Sequence, residues 1–316
     1  MGTKHPSRDL SRTRTTDVER QNINLHFDLS KDIDRYLRQQ EQTVDVSNCM
    51  QRHNINLTLR ARMVDWMIEV LTNFKCDDQT FFIAISLMDR YFKGCTQVKE
   101  MSDLHITGVT CMFIASKFED IYPLKMKTVH EKIAHKKLEI AKMKELELDI
   151  MRVIKYQIHA PTVLDFLKVY LLEVLEIQIQ NKTLSKEKEE KALAHSQGKD
   201  LEQKHDHSAT QLSQNYLIEK MSIYLAKMSL HDSELAQRMP SLLSIGSIYV
   251  ALKICEQLKK QILISPKIVN KLIQVSRMPE DQILDVSQKV LYLAQNFDKE
   301  FPGLENLKKT HFGVIT

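Results

Sequence analysis

His130-Glu131-Lys132-Ile133-Ala134-His135 sets two histidines around a glutamate, the residue types of a zinc hydrolase. A helical zinc site needs its histidines four apart, on one face. Five apart on a regular helix they diverge by about 140°, so the spacing argues against a metal. His205-Asp206-His207 lies among lysines and acids and reads as part of a solvated charge run. The chain holds only seven glycines, so phosphate-cradling loops are easily checked. Neither G-x-G-x-x-G nor G-x-x-x-x-G-K-[ST] occurs, and no nucleophile elbow or triad signature is present. Cysteines stand at 49, 76, 95, 111 and 255, an odd count without C-x-x-C. That pattern fits a reducing compartment with neither a disulfide framework nor a zinc ribbon. These residues point away from an enzyme, and no metal or cofactor is expected.

A different residue stands out. Lys117 interrupts LHITGVTCMFIASKF (104–118), the most apolar stretch of the chain. A lysine there must reach solvent or a partner. Taken alone, a structural salt bridge is the better reading.

The elements that would carry it are helices. Glycine and proline number 7 each in 316 residues, against average usages of roughly 7% and 5%. Met63, Trp66, Met67, Val70, Leu71 and Phe74 keep helical spacing over 58–74. Further helices are predicted over about 30–42, 78–92, 104–118, 125–134 and 139–155. The 104–118 helix is apolar on nearly all sides, which requires burial among other helices. Pro161 suits a helix start, and a helix then runs to about 178. Helical spacing returns at 214–230, 240–259, 266–275 and 279–297. The expected fold is all-α: two five-helix domains preceded by a short N-terminal helix. The expected boundaries are a disordered tail over 1–28, the short helix and a polar connection over 29–56, then domains over 57–158 and 159–314. Six lysines and six acids balance within 181–207, which reads as a solvated insertion, disordered or a marginal exposed helix.

Lys+Arg exceeds Asp+Glu by only four, 45 against 41, with the two signs interleaved. Nucleic-acid binders concentrate basic charge, so no nucleic-acid partner is expected. No apolar run approaches the ~18 residues of a membrane span, and the first 20 residues lack the apolar core of a signal peptide. No membrane partner is expected.

LRARMVDWMIEV (59–70), DRYF (89–92), ASKFEDIYP (115–123) and HAPTVLDFL (159–167) occur in that order. Together they resemble the cyclin box. DIDRYLR (32–38) is similar to the helix preceding the box, and KTHFGV (309–314) to the tail motif, of mitotic A/B-type cyclins. The resemblance covers about 29–178 and 214–314. It implies a non-catalytic regulatory subunit, expected in nucleus and cytoplasm, that binds and activates a cyclin-dependent Ser/Thr kinase in G2/M control. A kinase needs its αC-helix Glu paired and its activation loop ordered, and a rigid helical surface docked on αC can bias that two-state element.

By resemblance, Lys117 and Glu147 bind kinase main-chain groups, the position of Glu147 being counted back from Tyr156 and Ala160-Pro161-Thr162. Ile114, Phe118, Met151 and Ile158 match a pocket for an apolar αC residue, and Tyr156, Ile33 and Tyr36 match further kinase contacts. Taken singly, each of these apolar residues fits ordinary packing as well. Arg60 and Asp89 match a buried structural ion pair.

On the helix over 58–74, Leu59, Met63 and Trp66 form a second apolar arc beside that of Val64, Met67, Leu71 and Phe74. The surplus resembles the cyclin patch that holds Arg-x-Leu-type motifs of substrates or inhibitors. Leu104 would lie across that groove, and Glu69 would receive the arginine. Arg62 and His105 depart from the family pattern, so altered or weaker docking is expected. The rival readings are a cyclin-fold scaffold and a transcription adaptor, which bind partners without activating a kinase.

Overall fold

The computed structural model describes residues 32–175, 202–258 and 266–312. The tail at 1–28 and most of the charged insertion lie outside these residues.

Helix α1 covers 32–41. It buries Asp34, Leu37 and Glu41 on one side. Arg38 pairs with Asp34 at 2.9 Å and donates to the Tyr170 hydroxyl at 2.7 Å and the Ser276 carbonyl at 2.5 Å. Glu41 accepts from the Ser241 backbone and hydroxyl. The connection after α1 is no mere polar linker: Cys49, Met50 and Ile55 are buried, and His53 Nε2 meets the Phe92 carbonyl at 2.7 Å.

The first bundle comprises α2 (Leu57–Asn73), α3 (Asp78–Gly94), α4 (Met101–Glu119), α5 (Met126–Thr128) and α6 (Ile140–Val153). Asn56 caps α2 and Asp77 caps α3 through their side chains, each satisfying an otherwise orphaned N–H. Helix α4 packs against α2, α3 and α6, as its all-round apolarity requires. Its Gly108 lies where an added Cβ would stand 2.0 Å from Met63 Cε, which lets α2 approach closely. The helix expected over 125–134 departs from regularity: α5 is three residues long and continues as a π-turn, Val129–Ile133.

The second bundle comprises α7 (Val163–Leu175), α8 (Glu202–Ser229), the short α9 (Ser233–Ala236), α10 (Pro240–Leu258), α11 (Pro266–Ser276) and α12 (Glu280–Glu300). Helix α8 starts twelve residues before the periodicity at 214 indicated, taking in the end of the charged insertion. Pro161 stands just before α7. Thr162 and Asp165 exchange reciprocal bonds at its start, the logic of a capping box. Helix α10 is central, flanked by α7, α8, α11 and α12. Its buried Ser244 and Ser247 donate to carbonyls three and four residues back. Each bundle thus wraps one buried helix containing a close-packed glycine.

Helix α13 (Asn306–Phe312) returns to the first bundle and lies on α2. The buried Asp65 carboxylate accepts from the Asn306 and Leu307 N–H groups at 3.2 and 3.1 Å. It caps the helix in a favourable position for negative charge.

Candidate functional site

Two surfaces can be built from these elements. The first surrounds the C-terminal end of α4. Lys117 leaves the buried stretch at its last turn and pairs with Glu147 of α6. Its ammonium also sits 4.2 Å from the Phe113 ring centroid. The side chains are 40% and 22% exposed, so this is a surface pair, worth about 0–1 kcal/mol. The fold does not depend on it. Glu145, half a turn away, is exposed to solvent.

Exposed apolar groups follow both partners of the pair in the chain. Phe118 and Tyr156 are both exposed. Tyr156 follows Lys155 in a turn where both have positive φ, 54° and 61°. The Tyr156 N–H closes the end of α6 on the Met151 carbonyl at 2.8 Å, and the turn projects the ring outward. Met151 and Ile158 are half-buried. Phe118 meets His159 at 6.2 Å between ring centroids, bringing α4 and the turn after α6 together. A bond to Asp165 raises the His159 pKa above its ordinary value, against the effect of burial. Ile114 differs from expectation: at 2% exposure it belongs to the core and supports this surface from beneath. Its position inside α4, a full turn before Phe118, explains the burial.

Ile33 and Tyr36 are exposed on α1, beside the face that buries Asp34, Leu37 and Glu41. The polar anchors of α1, Arg38 and Glu41, reach the second bundle. Sequence reasoning missed Ile121 and Tyr122, the most exposed large apolar residues described, at 88% and 92%. Leu148 on α6 is exposed as well. The available signal was an Ile-Tyr pair outside any helical period, immediately before Pro123.

The second surface is a groove between α2 and α4 of about 400 Å³. Met63 and Leu104 are nearly buried and form its floor; Leu59 and Trp66 form one wall. Trp66 packs on His105 with centroids 5.1 Å apart. Burial, and secondarily the charge of Lys137, lower the His105 pKa. The far wall comes from residues 133–137, where His135 and Lys136 take positive φ after the π-turn. Glu69, expected to receive the arginine of a docked motif, is half-buried on α2 one turn beyond Trp66 and does not border the groove.

The histidine pair set aside above also ends up elsewhere than assumed. The π-turn replaces a regular helix, so a fixed angular offset does not apply. His130 Nδ1 is instead 2.9 Å from the Leu138 carbonyl, and His135 borders the groove. Among the described residues, no three His, Cys, Asp or Glu side chains converge as metal ligands. No helix among them is long and apolar enough to cross a membrane.

Arg60 and Asp89 meet in the interior. Two bonds at 2.9 and 2.5 Å join guanidinium and carboxylate. The remaining Arg60 nitrogen donates 2.9 Å to the Leu230 carbonyl of the second bundle. The aligned fork satisfies both charges where water cannot.

Comparison with known proteins places these surfaces in context. The family description "Cyclin, N-terminal domain" matches residues 32–159, and "Cyclin, C-terminal domain" matches 203–304. G2/mitotic-specific cyclin-B1 of Oryzias luzonensis is 30% identical over 178 residues, 55% of this chain and 43% of that protein. Cyclin-A2 of Gallus gallus is 30% identical over 169 residues, 52% and 41%. The chain thus spans less than half the length of these curated relatives. A viral cyclin from herpesvirus saimiri shares the fold with a TM-score of 0.60 at 16% identity, covering 87% of this chain and 98% of that one.

Proposed function

This chain belongs to the cyclin family, and from that premise we propose that it is the regulatory subunit of a cyclin-dependent Ser/Thr kinase acting at G2/M, in nucleus and cytoplasm. The chemistry belongs to the kinase; this chain supplies a surface. The single observation that carries the reading is the solvent-facing Lys117–Glu147 pair at the end of α4, with exposed Phe118, Ile121 and Tyr122 next along the chain and exposed Tyr156 in the turn after α6. Soluble surfaces seldom gather large apolar side chains without a partner.

The mechanism follows from the geometry. Lys117 offers ammonium donors and Glu147 carboxylate acceptors, and each now satisfies the other. Exchanging that weak surface pair for main-chain carbonyls and N–H groups at the end of the kinase αC helix costs little. The exposed apolar side chains then bury against αC, adding area-dependent attraction. Ile33 and Tyr36 extend the contact from α1. A bound αC is held in the arrangement that completes the kinase Lys–Glu pair and orders the activation loop. The bias equals the difference in affinity for the two αC positions. The groove of Leu59, Met63, Trp66 and Leu104 serves as a docking site for substrate or inhibitor segments.

The test is a pull-down with a mitotic cyclin-dependent kinase, coupled to histone phosphorylation, comparing wild type with Lys117→Ala/Glu147→Ala. Wild type is expected to bind and activate, and the double variant to lose at least ~10-fold in affinity, about 1.4 kcal/mol, while remaining folded. Binding without activation would establish the scaffold reading. A folded wild type that binds no such kinase would overturn the proposal.

A further inference from the structure

The groove between α2 and α4 is lined by cations and by no carboxylate. Arg62 and Lys137 both border it, both are exposed, and neither side chain makes a hydrogen bond or ion pair among the described residues. The charge of Lys137 reaches His105 in the wall. The acid expected here, Glu69, is half-buried on α2 and is not among the residues that border the groove. Beneath these cations lies an apolar floor, with Met63 and Leu104 almost buried and Trp66 partly open.

From this charge complementarity we propose that the groove binds an acidic, apolar peptide segment of a partner protein. A leucine or phenylalanine seats against Trp66 and Leu104. An aspartate or glutamate one or two positions away faces Arg62 and Lys137. The inference rests on reading the groove as a docking site and names its ligand class. A motif bearing arginine would set like charges together with no acid lining the groove to receive it, and repulsion of this kind decides specificity as much as attraction does.

Fluorescence anisotropy on the full chain tests this with two labelled peptides of equal length, Asp-x-Leu-Phe and Arg-x-Leu-Phe. The acidic peptide is expected to bind at least ~10-fold more tightly at low salt, with the advantage shrinking at high salt as screening grows. Arg62→Glu/Lys137→Glu alters only exposed side chains and is expected to reverse the preference. Trp66→Ala, checked for folding by circular dichroism, is expected to weaken both peptides. If the arginine peptide binds equally or better, or if the preference survives Arg62→Glu/Lys137→Glu, the inference falls and the docking reading stands. If neither peptide binds the folded chain, both fall together.

Discussion

Two ion pairs with similar residue types behave oppositely because water reaches one and not the other. Arg60–Asp89 is sealed in the interior and also holds the Leu230 carbonyl. Removing either partner leaves a buried charge uncompensated, so Arg60→Ala or Asp89→Ala is expected to cost about 3–5 kcal/mol. Lys117–Glu147 lies at the surface, and Lys117→Ala is expected to change stability by less than about 1 kcal/mol. Urea denaturation of the purified variants checks both, and equal losses would refute the distinction. Tyr156 offers a related separation. A tyrosine at φ 61° is strained, and left-handed backbone costs roughly 1–2 kcal/mol for a residue with a Cβ. Tyr156→Gly is therefore expected to leave the melting temperature unchanged or raised while weakening kinase binding in the pull-down. A clear loss of stability would mean that the exposed ring supports the fold.

At the scale of elements, each bundle depends on a helix apolar enough to be enclosed and narrow enough at one point to let a neighbour in. Gly246 of α10 and Gly108 of α4 mark those points, with different tolerances. An added Cβ at Gly246 would lie 2.6 Å from Val286 Cγ1, whereas at Gly108 it meets the thioether ends of Met63 and Met67. Valine is stiff at χ1; methionine swings aside. Gly246→Ala is expected to destabilise by about 1–3 kcal/mol, more than cancelling the gain of about 1 kcal/mol in helix propensity. Gly108→Ala is expected to cost less. Thermal melts of the two variants decide the order.

Across the whole molecule, buried polar contacts tie the bundles together. Lys227 of α8 reaches Asp78 of α3 at 2.6 Å, Arg60 reaches the Leu230 carbonyl, and Asp65 of α2 caps α13. This last contact brings His311 against Tyr224, with ring centroids 5.3 Å apart. Burial there lowers the His311 pKa to about 4. The folded state therefore resists a proton that the unfolded chain accepts near pH 6.5. The contribution is present above pH 6.5 and is lost progressively as pH falls toward 4. The wild-type melting temperature is expected to drop between pH 7 and 5, and His311→Phe to drop less. Parallel curves would remove His311 as the cause.

The sequence alone determined the helices and their class, because breakers are few and apolar spacing is sustained over α2, α3, α6 and α12. It also marked α4 as buried, since no polar face exists to meet water. It identified Lys117 as a residue needing an outlet, and the ordered motifs indicated the family. Tertiary structure decided what periodicity cannot encode. It chose Glu147 over Glu145 as the partner of Lys117, withdrew Ile114 into the core, and projected Ile121 and Tyr122 outward. It drew Lys137 to the groove from a segment beyond a π-turn. A helical period states which residues share a face of one element. The neighbour that covers a face, and the charges it brings, depend on chain segments far apart in sequence.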